Sequence, residues 1–398
     1  MSTSPAPPRP SAPHPAPRSG QGIDALVQAA AAVADQIAET AADRDADRAF
    51  PQEAFDRLGE AGLLTATLPT ELGGAGLGGP GARHALYRVL AEVGRGSLAV
   101  GRVYEGHVNA LDLVMTWGTE RQRGRAADDA HAGHLFGVWN TEAADGVRLD
   151  PDGEGGAVLH GAKVFCSGAG HVTRAFANGA WPDGSWQMVL VDLDGKDDRV
   201  EPDSWTAEGM RASVSGRVSF EGLAVGPDAL VGAPGDYTAE PDFTGGAVRF
   251  AAVHLGGAQA LADASGSLLR QMGRTADPHQ HARAGRAAIA VETGALWLLG
   301  AARLWEAHAA GEAEPGAVVA YAQMTRTAIE RACLDVLELV DRSVGARGLL
   351  PPSPVERIGR DLRLYLRQPA PDATLDAAGA AALDRPGLAR GSAPPSHA

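Results

Sequence analysis

The chain is predicted to be an α+β multidomain protein, with an N-terminal α-helical domain, a central antiparallel β domain and a C-terminal four-helix bundle. Helical periodicity runs from Ile23 to about His131. Short β-branched and aromatic runs punctuated by Gly, Asp and Asn fill the stretch from His134 to Gly235, and long helical patterns return from Phe243 to about Leu366. A length of 398 residues also exceeds what one hydrophobic core usually organises. The expected divisions are a disordered tail over 1–22, a helical domain over 23–133, a β domain over 134–240, a bundle over 241–370 and a flexible tail over 371–398.

The opening "MSTSPAPPRPSAPHPAPRSG" is rich in Pro, Ala and Ser and lacks an apolar segment, so neither a signal peptide nor a membrane anchor is expected from it. "GIDALVQAAAAVADQIAETAADRDADR" is an alanine-rich amphipathic helix, and "FPQEAFDRLGEAGLL" is a second, with Pro51 near its start. "LPTELGGAGLGGPGA" reads as a loop and not a phosphate cradle, because no strand precedes it. "AVLHGAKVFCSGAG", "WQMVLVDLDG" and "SGRVSFEGLAVG" carry the strand signal. The later helices are separated by "GRTADPHQ", "GEAEPG" and "GARGLLPPSP", which suits an antiparallel bundle. In "VERIGRDLRLYLRQPAPD", Val355, Ile358, Leu362 and Tyr365 form an apolar stripe with four arginines largely off it, and Pro369 stops the helix. The residues after it, rich in Pro, Ala and Gly, are expected to be loosely ordered.

A net charge of −14 argues against a sequence-independent nucleic-acid role, which needs clustered cations. The two cysteines, Cys166 and Cys333, supply neither a disulfide framework nor a metal cluster and suit a reducing cytoplasm. No unbroken run of about eighteen apolar residues occurs, so no membrane-spanning helix is expected.

The order of these blocks, and several local stretches within them, resemble the acyl-CoA dehydrogenase family over roughly Ile23 to Asp372. "FDRLGEAGLLTATLPTELGGAGLG", "NTE" at Asn140–Glu142, "GAKVFCSGAG", "GMRASVSGRVSFEGLAVG", "HLGGAQALAD" and "SVGARGLLPPSPVERIGRDLRLYL" are similar to that family's landmarks, in the same order. The resemblance implies FAD bound between the β domain and the bundle and shared across subunits, hence a homodimer or homotetramer. It places Phe165 against the flavin ring, Ser167 near the hydride-accepting nitrogen, and Asn140 and Thr141 at the pyrimidine edge. From the neighbouring subunit it implies Arg270 or Arg274, Gln280, Arg342, and Gly345 to Gly348 near the cofactor. Two departures accompany it. "TEAADGVRLD" puts Val147 where the family has a serine that holds the pyrophosphate, and "PAP" replaces a Glu-Gly-Thr whose threonine approaches FAD.

The family's reaction takes a proton from the carbon α to a thioester carbonyl, which requires a positioned base. By the same resemblance, Pro369 and Gly246 look to stand at the two places where the family carries that glutamate. Asp372, Glu105 and His107 are the remaining candidates, an imidazole being suited by its ordinary pKa. Arg249 could contact a substrate, although it does not align with the family's substrate arginine.

Three functions follow, in this order. The first is FAD-dependent α,β-dehydrogenation of an acyl thioester, on CoA or a carrier protein, with a non-standard base. The second is flavin-dependent monooxygenation, or amine or nitroalkane oxidation, on the same fold. The third is a flavin-free, catalytically inactive homologue.

Overall fold

The first domain is built from alanine-rich helices that each bury one stripe. The computed structural model describes residues 22–367 and 370–384. Its opening helices are α1 (Ile23–Asp47), α2 (Gln52–Glu60), α3 (Arg83–Gly96), α4 (Leu98–Trp117) and α5 (Glu120–His131). Leu26, Ala30, Ala34 and Ile37 form the buried stripe of α1. Between α2 and α3 the glycine-rich stretch is a loop with one short 3₁₀ turn at Thr70–Leu72, as its composition predicts.

The central domain departs from expectation in its pairing. Its strands are β1 (Phe136–Val138), β2 (Arg148–Pro151), β3 (Ala157–His160), β4 (Ala162–Cys166), β5 (Arg174–Phe176), β6 (Gly179–Ala180), β7 (Trp186–Asp192), β8 (Gly216–Ser219), β9 (Leu223–Val225) and β10 (Leu230–Val231). The main sheet runs β1-β5-β7-β6-β2-β3-β9 with β10 also on β7, and β4 pairs with β8 alone. β1 is parallel to β5 and β2 is parallel to β6, so the sheet is mixed rather than antiparallel. Two- to four-residue strands joined by long excursions carry no sequence signal for direction, which is why the alternation pattern did not foretell it.

Four helices then form the bundle: α6 (Asp242–Gln271), α7 (Pro278–Ala309), α8 (Pro315–Val344) and α9 (Pro354–Tyr365). α6 crosses the first domain closely. A Cβ on Gly256 would stand 1.9 Å from the Ala91 carbonyl oxygen, so only glycine lets α6 and α3 approach this far. α7 corrects the expectation about apolar length. By length and composition alone it could cross a membrane, because Glu292 interrupts its apolar sequence without lowering the average enough. It packs instead on α6 and α8, with Ile289 and Leu296 exposed. A second correction concerns the tail, since Pro371–Asp384 forms a further helix, α10, against α8. Alanine's helix propensity prevails there over the general Pro, Ala and Gly bias. Residues 1–21 and 385–398, where disorder or flexibility is expected, lie outside the described residues.

A buried ion cluster ties α9 to the other two domains. Arg360 spans Asp45 of α1 at 2.6 Å and Glu356 at 2.7 Å, and it also donates to the Glu208 carbonyl oxygen. The Asp361 carboxylate accepts the Met210 N–H at 2.6 Å. Burial pushes the Asp361 carboxyl up to about 6 from an ordinary 3.8, against the pull of that N–H and of Arg357. The folded chain therefore holds this proton more tightly than the unfolded chain does. Its contribution to stability is complete below about pH 4 and is lost as pH rises through about 6. Relative to Asp361→Asn, the wild-type chain should lose stability over that window, at no more than about 1.4 kcal/mol per pH unit, in denaturant melts. A constant difference between the two from pH 4 to pH 7 would contradict this assignment.

Candidate active site

A cavity of about 860 Å³ opens where the first domain, the β domain and the bundle meet. Its β wall is held in unusual backbone geometry. β4 changes register on β8 between Lys163 and Cys166, and Phe165 at the bulge has φ +55°. Met210 (φ +56°) and Ala370 (φ +56°) also line the cavity, and Val214 (φ +43°) lies between two lining serines. A bulky or β-branched side chain in the left-handed region is costly, and such residues gather where a site must be shaped. The result at Phe165 is an aromatic ring 57 % exposed and turned into the cavity, edge-on to Trp205 with ring centroids 6.0 Å apart.

A row of hydroxyls lies beside these rings. Ser215 Oγ donates to Ser167 Oγ at 3.0 Å and lies 2.7 Å from Ser213 Oγ. The Met210 carbonyl oxygen accepts from the Ser213 hydroxyl at 2.8 Å, and from Trp205 Nε1 and the Ser213 N–H at 3.0 Å each. The Ser213 proton is thus committed to Met210, and it is the Ser215 hydroxyl that donates to Ser167. That direction leaves the Ser167 proton to be given to an acceptor in the cavity. The wall is pinned from behind. Trp139 Nε1 donates to the Ser167 carbonyl oxygen at 3.0 Å, and the Gly168 N–H donates to that of Ser213 at 2.8 Å.

The polar floor comes from α4. Glu105 is 1 % exposed, and its carboxylate accepts from Arg102 and from Asn109. Tyr365 of α9 brings a buried hydroxyl that has no hydrogen-bond partner among the described residues. Arg102 lies close enough to oppose the rise in that phenol's pKa, which burial drives well above its ordinary value, yet no bond of acceptable geometry joins them. Arg249 reaches in from α6 and is paired with Asp112 at 2.9 Å. Two further acids, Glu240 and Asp242, line the side near Phe243. Burial raises the Asp242 carboxyl above its usual range, and Asp112 adds to the effect.

The sequence candidates separate clearly in this setting. Asn140, Thr141, Phe165, Ser167, Glu105 and Gly246 all line the cavity. Gly246 contributes no side chain there, and Pro369 lies outside the described residues. Asp372 is exposed on the first turn of α10 and does not line the cavity, whereas Ala373 and Thr374 beside it do. His107 is also away from the cavity. Its Nδ1 accepts from the Phe136 N–H at 3.1 Å and its Nε2 donates to the Leu64 carbonyl oxygen at 2.7 Å, so neither nitrogen is available. Burial pushes this imidazole down to about 4. Val147, at the place of the expected phosphate-binding serine, is packed in the core, and the adjacent Glu142 is tied to Lys163 and to the Val147 N–H.

The residues expected to reach a neighbouring subunit's cofactor lie at the far ends of the bundle helices, and none lines the cavity. Gln280 is buried. In the amide orientation that satisfies both of its ends, its nitrogen donates to Ser343 Oγ at 3.1 Å and its oxygen accepts from Arg274 and Arg283. Arg270 bonds Ser267, Arg342 pairs with Glu338, and the backbone turns at Gly345 with φ +60° ahead of Gly348.

Sequence reasoning missed Trp205, Ser213, Ser215, Tyr237 and Arg102 as lining residues and read Tyr365 as part of a core stripe. Only "GMRASVSG" offered a signal, two small hydroxyl residues beside a strand pair. The Arg102–Glu105 spacing of three residues also fits one helix face.

Family models describe the chain on both sides of the β domain. "Acyl-CoA dehydrogenase, N-terminal domain" matches residues 24–133, and "Acyl-CoA dehydrogenase, C-terminal domain" matches residues 248–366. The chain is 31% identical to an L-evernosamine nitrososynthase of a Micromonospora species, over 85% of this chain and 84% of that one. It is 26% identical to a dibenzothiophene monooxygenase of Mycolicibacterium goodii, over 82% of this chain and 86% of that one. Among solved structures it is similar to the complex of TdsC from Paenibacillus sp. A11-2 with FMN and indole, with a TM-score of 0.80 and 21% identity, covering 90% of this chain and 97% of that one.

His107→Ala should lower the unfolding free energy by about 2–4 kcal/mol, because it empties a buried volume and orphans both the Leu64 carbonyl and the Phe136 N–H. The loss should be largest above pH 6.5 and should shrink as pH falls toward 4, where the unfolded imidazole gains a proton that the folded one refuses. A fully stable variant in the same melts would instead mark His107 as a group without a structural role.

Proposed function

The chain belongs to the acyl-CoA dehydrogenase family, and within it we propose that this protein is a flavin-dependent monooxygenase that uses reduced FMN. The observation that carries the reading is at Gly246. The helix position from which a family base would enter has no side chain, and the nearest polar group to a Cβ built there is the Arg249 guanidinium, with Nη2 at 3.5 Å. A guanidinium cannot remove a proton; it orients and stabilises oxygen. The other inward carboxylate, Glu105, is already engaged by Arg102 and Asn109. Of the two near full-length relatives reported above, one is named a monooxygenase and neither is named a dehydrogenase, which supports the same choice.

The residues present suit a flavin. Phe165 and Trp205 offer aromatic surface to a planar ring, Ser167 offers a directed hydroxyl proton to a ring acceptor, and Asn140 and Thr141 border that end of the cavity. FMN is favoured over FAD because the second phosphate would lack its usual hydroxyl: Val147 is apolar and buried. When bound, a reduced flavin supplies two electrons to dioxygen, so that one oxygen atom enters the substrate and the other leaves as water. The chain's part is to keep that chemistry out of bulk water and to hold the substrate against the ring. A homo-oligomer, with α7's exposed Ile289 and Leu296 covered, belongs to the same proposal.

One observation favours a second reading. Asp242 lines the cavity, and burial raises its carboxyl pKa, as suits a base. Thioester dehydrogenation would then proceed from an acid that neither family position supplies.

The two readings part in a single assay. Fluorescence quenching should give tighter binding of FMN than of FAD, and NADH with a flavin reductase should drive substrate-dependent oxygen uptake. Anaerobic acyl-CoA thioesters should leave the flavin unbleached. Bleaching by a thioester that Asp242→Asn slows at least tenfold, about 1.4 kcal/mol of barrier, would favour dehydrogenation instead.

A further inference from the structure

Part of the unused hydrogen-bonding capacity of the cavity lies on a buried cation. Arg249 is 5 % exposed, and among the described residues only one of its five N–H groups, on Nη1, has a protein acceptor, the Asp112 carboxylate. Its Nε is buried with no partner among the described residues. Buried donors of a charged group are seldom left in that condition without a ligand or water to meet them. Gly246, one turn earlier on α6, also lines the cavity, and its missing side chain leaves an approach to Nη2. Arg102, joined to Glu105, belongs to the same floor. Both guanidinium groups line the same cavity, and both act on the Tyr237 phenol, opposing the rise that burial gives its pKa.

The rest of the wall is aromatic. Tyr237, Phe243, Phe250 and Tyr365 surround this floor, and flat apolar faces with a few fixed polar groups suit a planar ligand that carries one strongly polar end. Guanidinium groups only donate, so an ammonium or amide N–H at that end would meet donors facing donors. A planar pair of acceptor oxygens matches the fork of a guanidinium.

We propose that Arg249, with Arg102 beside it, is the specificity-determining residue of this cavity and takes the carboxylate of a planar aromatic acid through the gap at Gly246. The assignment deepens the monooxygenase reading and rests on it for the fate of the substrate. Asp112 and Glu105 each balance one guanidinium, and each leaves the other N–H groups of its partner to the ligand. Asp242 is a third acid within the field of Arg249, and burial raises its carboxyl above the usual range.

The test is equilibrium binding to the full chain by calorimetry, with and without FMN. The probes are benzoate and indole-2-carboxylate, each against a neutral counterpart, benzamide and indole. The acids should bind at least tenfold more tightly than the neutral compounds, and both Arg249→Met and Gly246→Val should bring that ratio toward one. Gly246→Val preserves the Arg249–Asp112 pair and places its Cβ at ordinary contact distance, so the test survives a failure of Arg249→Met to fold. Equal binding of acids and neutral compounds, no binding of either, or an unchanged ratio in both variants overturns the proposal. Selective acid binding without any FMN binding or oxygen uptake upholds the Arg249 site and sinks the monooxygenase reading. FMN-dependent oxygen uptake with no preference for acids does the reverse.

Discussion

The hydrogen bond from the Met210 N–H to the buried Asp361 carboxylate is the constraint on which the site depends. Met210 sits in a left-handed conformation at the start of the segment that carries Ser213 and Ser215. Its carbonyl oxygen takes up Trp205 and both the N–H and the hydroxyl of Ser213, which fixes that serine beside Ser215, whose hydroxyl donates to Ser167. Asp361 in turn is fixed by α9, and its neighbour Arg360 is fastened to Asp45 of α1. One residue pair on the bundle thus sets the position of the β wall and registers it against the N-terminal domain. The burial of so many charges is costly, and the return is specificity of arrangement rather than stability, a role such clusters are known to take.

The same pair accounts for what the sequence could tell. The α9 stripe of Val355, Ile358, Leu362 and Tyr365 was legible because helical burial has a fixed period, and Val355, Leu362 and Tyr365 are buried where that period puts them. The order of the three domains was legible for the same reason. The cavity was only half legible. Asn140, Thr141, Phe165, Ser167 and Glu105 line it, but His107 was indistinguishable by residue type from a catalytic imidazole until its two backbone partners were in view. Trp205 and Tyr237 have no local pattern, since long-range folding brings them to the wall. Strand direction and the left-handed turn at Phe165 were equally out of reach, because both follow from how distant segments meet.

Membership of a family of α-carbon chemistry and a cavity built around donors pull in different directions, and the resolution lies at two positions on α6. On the proposed reading, glycine at 246 and arginine at 249 exchange a proton acceptor for a set of fixed donors on a helix that keeps its close packing on α3. Such an exchange alters which molecules a scaffold receives without asking the scaffold to refold, which is how one architecture comes to serve unrelated reactions.

The least anchored wall of the cavity is α10. Only Ala378 of this helix is buried, and Ala373 and Thr374 face the site, with Thr374 accepting from Arg326. α1, by contrast, supplies no lining residue. For anyone handling the protein the asymmetry is practical. A fluorescent label, an affinity handle or a surface linkage fixed beyond α10 is in effect attached to the lip of the cavity, whereas the same group joined ahead of α1 hangs from an element that takes no part in enclosing it.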